Sequence, residues 1–339
     1  MTEIEKKHKQ VIAEITNELD DVILKENEAI ILYGSLSRNE GTILNHNTVF
    51  NDIDLLFLAK KLPEASLKEL KLRLKAKFKC QFVDISFLSP NKLKKSKKRI
   101  FTYDLFQGGK IIRGNINLGK YRFNSKEIST KDIEILFRTR MWTLIGSFPE
   151  TGLEFLTNNQ KTTLNYQLSK CIFSCIDALA VIKKSYTSKY RDKISWAKRQ
   201  EEFSDYIDLI DFAYKVKLQS KTNLNYNSQN VYYRSAMLFQ IIFEMGLQKH
   251  FNSSKKINDL VNFYYKNSLK SRIMRLLYFL KGKNGNKLYN MIVIQHLIIR
   301  QIALSENHIH NVIKLCVALK IDEKEINKIR IRVAQIRLG

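Results

Sequence analysis

Proline is nearly missing from this chain. Of 339 residues only Pro63, Pro90 and Pro149 are proline, so nothing beyond Pro149 removes a backbone donor or locks φ, and long helices are open to the rest of the chain. Glycine is sparse as well, at twelve residues, and no low-complexity linker divides the sequence. Only four cysteines occur. Cys80, Cys171, Cys175 and Cys316 lack zinc-finger spacing, and Cys171 and Cys175 sit one helical turn apart in an apolar pattern. Buried free thiols and a reducing compartment are expected from that usage. Acidic residues are outnumbered, 33 against 58 basic ones, for a formal net charge of +25. Such an excess suits a polyanionic partner, nucleic acid or nucleotide phosphate, although lysine is scattered through the chain rather than gathered in one stripe. Long apolar runs are lacking: the stretch Met291–Ile299 is too short to span a bilayer, and the charged first ten residues hold no signal core. A soluble, cytoplasmic protein without membrane partners is the expectation.

What is present divides into two characters. Apolar positions at Ile4, Val11, Ile12, Ile15, Leu19 and Val22–Ile23 have helical spacing over Glu3–Leu24. A buried-type strand follows at Ala29–Tyr33, a polar loop from Gly34 to Asn51, and a second strand at Asp52–Leu58. Ala65–Lys77 carries Leu67, Leu70 and Leu74 on one helical face. Gln81–Leu88 forms a third strand ending at Ser89–Pro90, and a ribbon near Gly108–Gly114 closes the set. The order helix, strand, strand, helix, strand predicts a small α+β sheet domain. Beyond about Ser129, helical patterns alternate with polar breaks at 157–160, 219–225 and 281–285, which predicts a helical part.

The chemistry concentrates where the second strand opens. Asp52 and Asp54 lie two apart and therefore point the same way from one strand end. Upstream, the first strand runs into Gly34–Ser35, where glycine admits close backbone approach and the serine hydroxyl and nearby amides can donate to phosphate. A helix beginning near Leu36 would point its positive end at the phosphates. Asp84 sits between Val83 and Ile85 in the third strand, where an unpaired acid is costly to bury. If the second and third strands are neighbours, three carboxylates converge at one edge, as two-metal phosphoryl transfer requires.

Gly34–Ser35, Arg38, Glu40–Gly41, Asp52-Ile-Asp54 and the strand acid Asp84 together resemble the polymerase-β-like nucleotidyltransferase superfamily over about residues 25–115. The resemblance implies a mixed-sheet nucleotidyltransferase domain at 1–125 and an all-helical domain at 126–339 for acceptor binding or interaction. It implies Mg²⁺ or Mn²⁺ held by Asp52, Asp54 and Asp84, with a triphosphate contacted by Gly34 and Ser35. Arg38 is a further phosphate candidate, against the alternative of a solvated loop arginine. Lys170, in the apolar helix Leu168–Ile182, is the helical candidate for a phosphate contact, against a place on that helix's wet edge. The interval from Ser35 to Asp52 exceeds that of compact members, so Thr42–Phe50, with His46, reads as an insertion. ATP is the default donor by family prevalence. The acceptor, RNA, a protein side chain or a small molecule, is left open, as is the oligomeric state. The alternative is a non-catalytic nucleotide- or RNA-binding regulatory protein of the same fold.

Outside the motif, the cluster Lys92–Arg99 is a solvated helix face or a guide for an RNA acceptor. His308 and His310 lack a metal partner at suitable spacing and are taken as surface. Tyr232–Tyr233 and Met237–Phe243 fit a core better than a base-stacking platform.

Overall fold

The structure is a computed structural model that describes residues 3–252 and 254, apart from 27, 44–48, 50–51, 60–63, 81, 148–152, 154–155, 220–223 and 225. His46, Cys316, His308, His310 and the apolar stretch 291–299 therefore lie outside the described residues. It is an α+β protein, with a mixed four-stranded sheet among the described residues and many helices. None of the described helices is long and apolar enough to cross a membrane.

The chain divides into two compact units. One is made of Met1–Ser129, Lys184–Trp196 and Tyr214–Lys221, the other of Thr130–Lys183, Ala197–Ala213 and Thr222–Gly339. The first unit opens with α1 (Glu3–Asn17), which ends nearly two turns before the expected Leu24. Leu19 nonetheless stays buried, and Asp21 beyond it is held by Arg73 at 3.1 Å. Next come β1 (Ala29–Tyr33), the single turn α2 (Gly34–Ser37), β2 (Asp52–Leu58), α3 (Glu64–Phe78), β3 (Phe82–Phe87), α4 (Pro90–Lys94), α5 (Ile100–Gly108) and β4 (Lys110–Gly114). In the sheet order β3-β2-β1-β4, β1 is antiparallel to β2 and β4 while β2 and β3 run parallel. A parallel pair needs a crossover, and α3 provides it.

Each face of the sheet has its own apolar cover, which is why β1 is a continuous apolar run rather than an alternating one. Ile30 and Leu32 of β1 and Ile53, Leu55 and Phe57 of β2 pack with Val11 and Ile15 of α1 and Leu70, Leu74 and Phe78 of α3. On the opposite face, Ala29, Ile31, Leu56 and Leu58 pack with Leu105 and Phe106 of α5 and with Leu93 and Leu118. Sequence periodicity did not bring out α5. Its start is fixed by Thr102, whose Oγ1 accepts from Arg99 N at 3.0 Å and donates to the Lys97 carbonyl at 2.6 Å.

The second unit is helical: α6 (Lys131–Ser147), α7 (Asn158–Ile182) and α10 (Ser228–Phe251) pack on one another. Thr157–Gln160, read above as a break, is the N-terminal cap of α7. Gln160 N donates to Thr157 Oγ1 at 3.3 Å and Thr157 N to Gln160 Oε1 at 2.9 Å. α7 is buried nearly all round from Leu164 to Val181, including both cysteines. Burial pushes the Cys171 thiol up to about 12. Phe137 of α6 packs against Phe239 and Phe243 of α10, each ring centroid 5.6 Å away, and Tyr232 donates to the Leu144 carbonyl at 2.8 Å. The stripe from Tyr232 to Phe243 is thus chiefly core, with Met237 and Ile241 on its open side. Two shorter helices, α8 (Tyr190–Ala197) and α9 (Ile207–Leu218), complete the described α-helices; Tyr190–Trp196 and Tyr214–Leu218 count with the first unit.

Candidate active site

The carboxylates meet at the end of the sheet where β2 and β3 begin. In the parallel register Asp52 is the partner of Phe82 and Asp54 the partner of Asp84, while antiparallel pairing sets Tyr33 opposite Asp54. Three neighbouring strands therefore carry a row Tyr33–Asp54–Asp84, with Asp52 one step toward the strand start on the same face. Leu56 and Leu58 continue that face into the apolar cover beneath α5. The acids begin where the cover stops: Asp52 and Asp54 are half-buried and Asp84 is exposed.

Gly34 is shaped by this row. Its φ of +75° lies in the left-handed region, and a Cβ added there would stand 2.2 Å from Asp54 Oδ2. The backbone at the Gly-Ser turn thus lies directly against the carboxylate, a distance that only glycine permits. Ser35 follows in the first turn of α2, the single turn that answers the helix expected near Leu36. Ser37 Oγ donates back to the Gly34 carbonyl at 2.9 Å. Ile43 bridges Val49, and buried His8 of α1 hydrogen-bonds the Gly41 carbonyl at 3.0 Å.

Tyr33 is the site residue that strand reading passed over. Its hydroxyl donates to Asp84 Oδ2 at 3.4 Å, and its ring meets Phe101 of α5 edge-on at 5.4 Å. Burial, then the negative charges of Asp54 and Asp84, push the phenol well above its ordinary range and keep its proton in place. Alternation along β1 was the available signal, because residue 33 shares a face with Ala29 and Ile31 and so with the acids.

Arg38 is not solvated: its side chain is 6% exposed. Nε stands 3.3 Å from Glu40 Oε2, a terminal nitrogen 3.7 Å from Asp104 Oδ2, and the guanidinium lies over the Tyr190 ring at 5.5 Å. Burial alone would lower its pKa, but Asp104, then Tyr190 and Glu40, outweigh that and hold it above the ordinary value. Glu40 also accepts from Tyr190 N at 2.8 Å. Asp104 accepts from the Tyr186 hydroxyl at 3.0 Å, and Tyr186 accepts from Lys193 Nζ at 3.1 Å. The arrangement engages Arg38 in a buried ionic network with partners that local sequence does not reveal.

Lys170 belongs to α7 in the second unit, half-buried, its ammonium 4.8 Å from the Tyr166 ring centre. The basic cluster 92–99 is only partly helical. α4 ends at Lys94, and Lys98 pairs with Glu127.

Among the described residues no group of three His, Cys, Asp or Glu side chains closes around one point as a metal cage. What the row offers is hard oxygen donors on adjacent strands with a glycine backbone against one of them. That donor set fits magnesium or manganese, ions that commonly take one or two protein carboxylates and complete their shell with substrate phosphates. No family model, curated protein or solved structure matches this chain.

Proposed function

We propose that this protein is a metal-dependent nucleotidyltransferase that moves a nucleoside monophosphate from an NTP, ATP by default, to an acceptor hydroxyl and releases pyrophosphate. The observation that carries the reading is the in-register pairing of Asp54 with Asp84 on parallel strands, one residue from the Gly34 backbone that lies against Asp54. A sheet domain with the three acids does the chemistry, and the helical part selects the acceptor.

Asp52, Asp54 and Asp84 would hold the divalent ions. Bound there, magnesium or manganese supplies neutralisation of the triphosphate and Lewis-acid activation of its α-phosphorus. Gly34, without a side chain, lets the triphosphate approach the backbone, and Ser35 donates its hydroxyl and amide to phosphate oxygens. Asp84, the most exposed of the three acids, takes the proton of the acceptor hydroxyl. As that oxygen bonds to the α-phosphorus, the bond to the pyrophosphate oxygen breaks in line with it. A cytoplasmic setting belongs to this reading, and the buried free thiols of Cys80, Cys171 and Cys175 accord with it.

The test is pyrophosphate release from each NTP with Mg²⁺ or Mn²⁺, with candidate acceptors (RNA ends, small hydroxyl compounds, proteins) supplied in turn. Release is expected from wild type and is lost in Asp52→Ala/Asp54→Ala with the fold intact by circular dichroism. Equal release from the double variant would sink the assignment. Nucleotide binding without release under any condition would make the protein a nucleotide-binding regulator instead.

A further inference from the structure

We propose that Tyr33 is a positioning residue for Asp84, fixing the orientation of the third acid's carboxylate so that its other oxygen faces the metal and the acceptor. This rests on the transferase reading above. β1 and β3 are separated by β2, so a side chain on β1 touches β3 only if it is long and lies flat across the middle strand. At position 33 the chain has a tyrosine, directly opposite Asp54, and its hydroxyl arrives 3.4 Å from Asp84 Oδ2.

The ring itself is held. Phe101 of α5 packs edge-on against it at 5.4 Å, so the hydroxyl is aimed by packing rather than by solvent. Asp84 needs such support more than its neighbours do. β3 is an edge strand, and Asp84 is exposed where Asp52 and Asp54 are half-buried. A carboxylate with one oxygen tied to a phenol presents the other in a defined direction. Outer hydrogen bonds of this kind tune ligand geometry, and their loss commonly lowers metal affinity 10–100-fold.

The experiment is Mn²⁺ binding, read by electron paramagnetic resonance, with α,β-methylene analogues of the four ribonucleoside triphosphates. Wild type is compared with Tyr33→Phe, Asp84→Asn, the two combined, and Asp52→Ala/Asp54→Ala. Tyr33→Phe should bind Mn²⁺ about tenfold more weakly. Added to Asp84→Asn it should produce no further loss, because its effect runs through that carboxylate. A Tyr33→Phe protein with wild-type Mn²⁺ affinity, while Asp52→Ala/Asp54→Ala has lost binding, overturns the positioning role and leaves the transferase reading standing. A loss that adds in full to that of Asp84→Asn also overturns it, assigning Tyr33 to the fold alone. Wild-type protein that binds no Mn²⁺ with any analogue overturns both.

Discussion

A buried helix and an open sheet end treat their polar side chains in opposite ways. In the helical unit, α7 is covered on nearly every side, and its serines bond close at hand. Ser169 donates to the Tyr166 carbonyl at 2.7 Å, and Ser174 donates to the Lys170 carbonyl and receives Arg140 Nε, each at 2.9 Å. In the sheet unit the apolar cover over one face stops at Ile31 and Leu56, and the next residues on that face are Tyr33, Asp54 and Asp84. Along α7, burial draws serine hydroxyls into bonds with the helix's own backbone, whereas a sheet face covered only part-way lines its carboxylates up at the boundary.

If that contrast is right, substitutions should separate stability from activity by unit. The largest expected loss of stability is in the helical unit. Phe137→Ala removes the ring that packs on Phe239 and Phe243, and should cost about 3–5 kcal/mol in denaturant unfolding. A cost below about 1 kcal/mol would mean that this core is looser than its burial suggests.

Gly34→Ala comes next and blurs the contrast, because it strikes backbone and site together. An L-residue at φ +75° costs about 1–2 kcal/mol in backbone strain. The new methyl would also displace the Asp54 carboxylate, so the pyrophosphate release proposed above should fall with the melting temperature. Undiminished release would separate the Gly-Ser turn from the chemistry.

The smallest effect is electrostatic and belongs to the surface of the helical unit. Burial would raise the Asp208 carboxyl, but its hydrogen bonds with Arg234, one of them 2.8 Å long, outweigh that and hold it below its ordinary value of 3.8. A carboxylate depressed in the folded state stabilises above its unfolded pKa, and the contribution is lost as pH falls from about 3.8 through the lower folded value. The pair is well exposed, so Asp208→Asn should cost under about 1 kcal/mol at pH 7. The difference from wild type should disappear in strong acid, as followed by urea unfolding across pH.

The sheet, its crossover helix and the three acids were legible because each leaves a local pattern: continuous apolar strands, leucines at helical spacing, and acids two residues apart. Asp84 was placed beside Asp54 by assuming neighbouring strands, and the register supplies that pairing. What was not legible depends on distant partners. Arg38 looks like an open loop residue until Asp104 comes in from α5 and Tyr190 from about 150 positions away. Tyr33 looks like one more strand residue until its hydroxyl is followed across β2. The start of α5 escaped notice because a threonine inside its first turn, rather than a preceding cap side chain, satisfies the chain at Arg99.

Glu40 also bears on how this protein is made. It accepts from the backbone of Tyr190, and nearby Thr42 donates to the carbonyl of Lys217 at 3.2 Å, so the sheet unit is completed by chain that is synthesised long after its last strand. At ribosomal speeds, the stretch between Ser129 and Lys217 takes on the order of ten seconds to appear. Through that interval the chain has all four strand segments but not the segments that cover Arg38 and Asp104, so the contact of Thr42 with Lys217 can form only once residue 217 has cleared the exit tunnel.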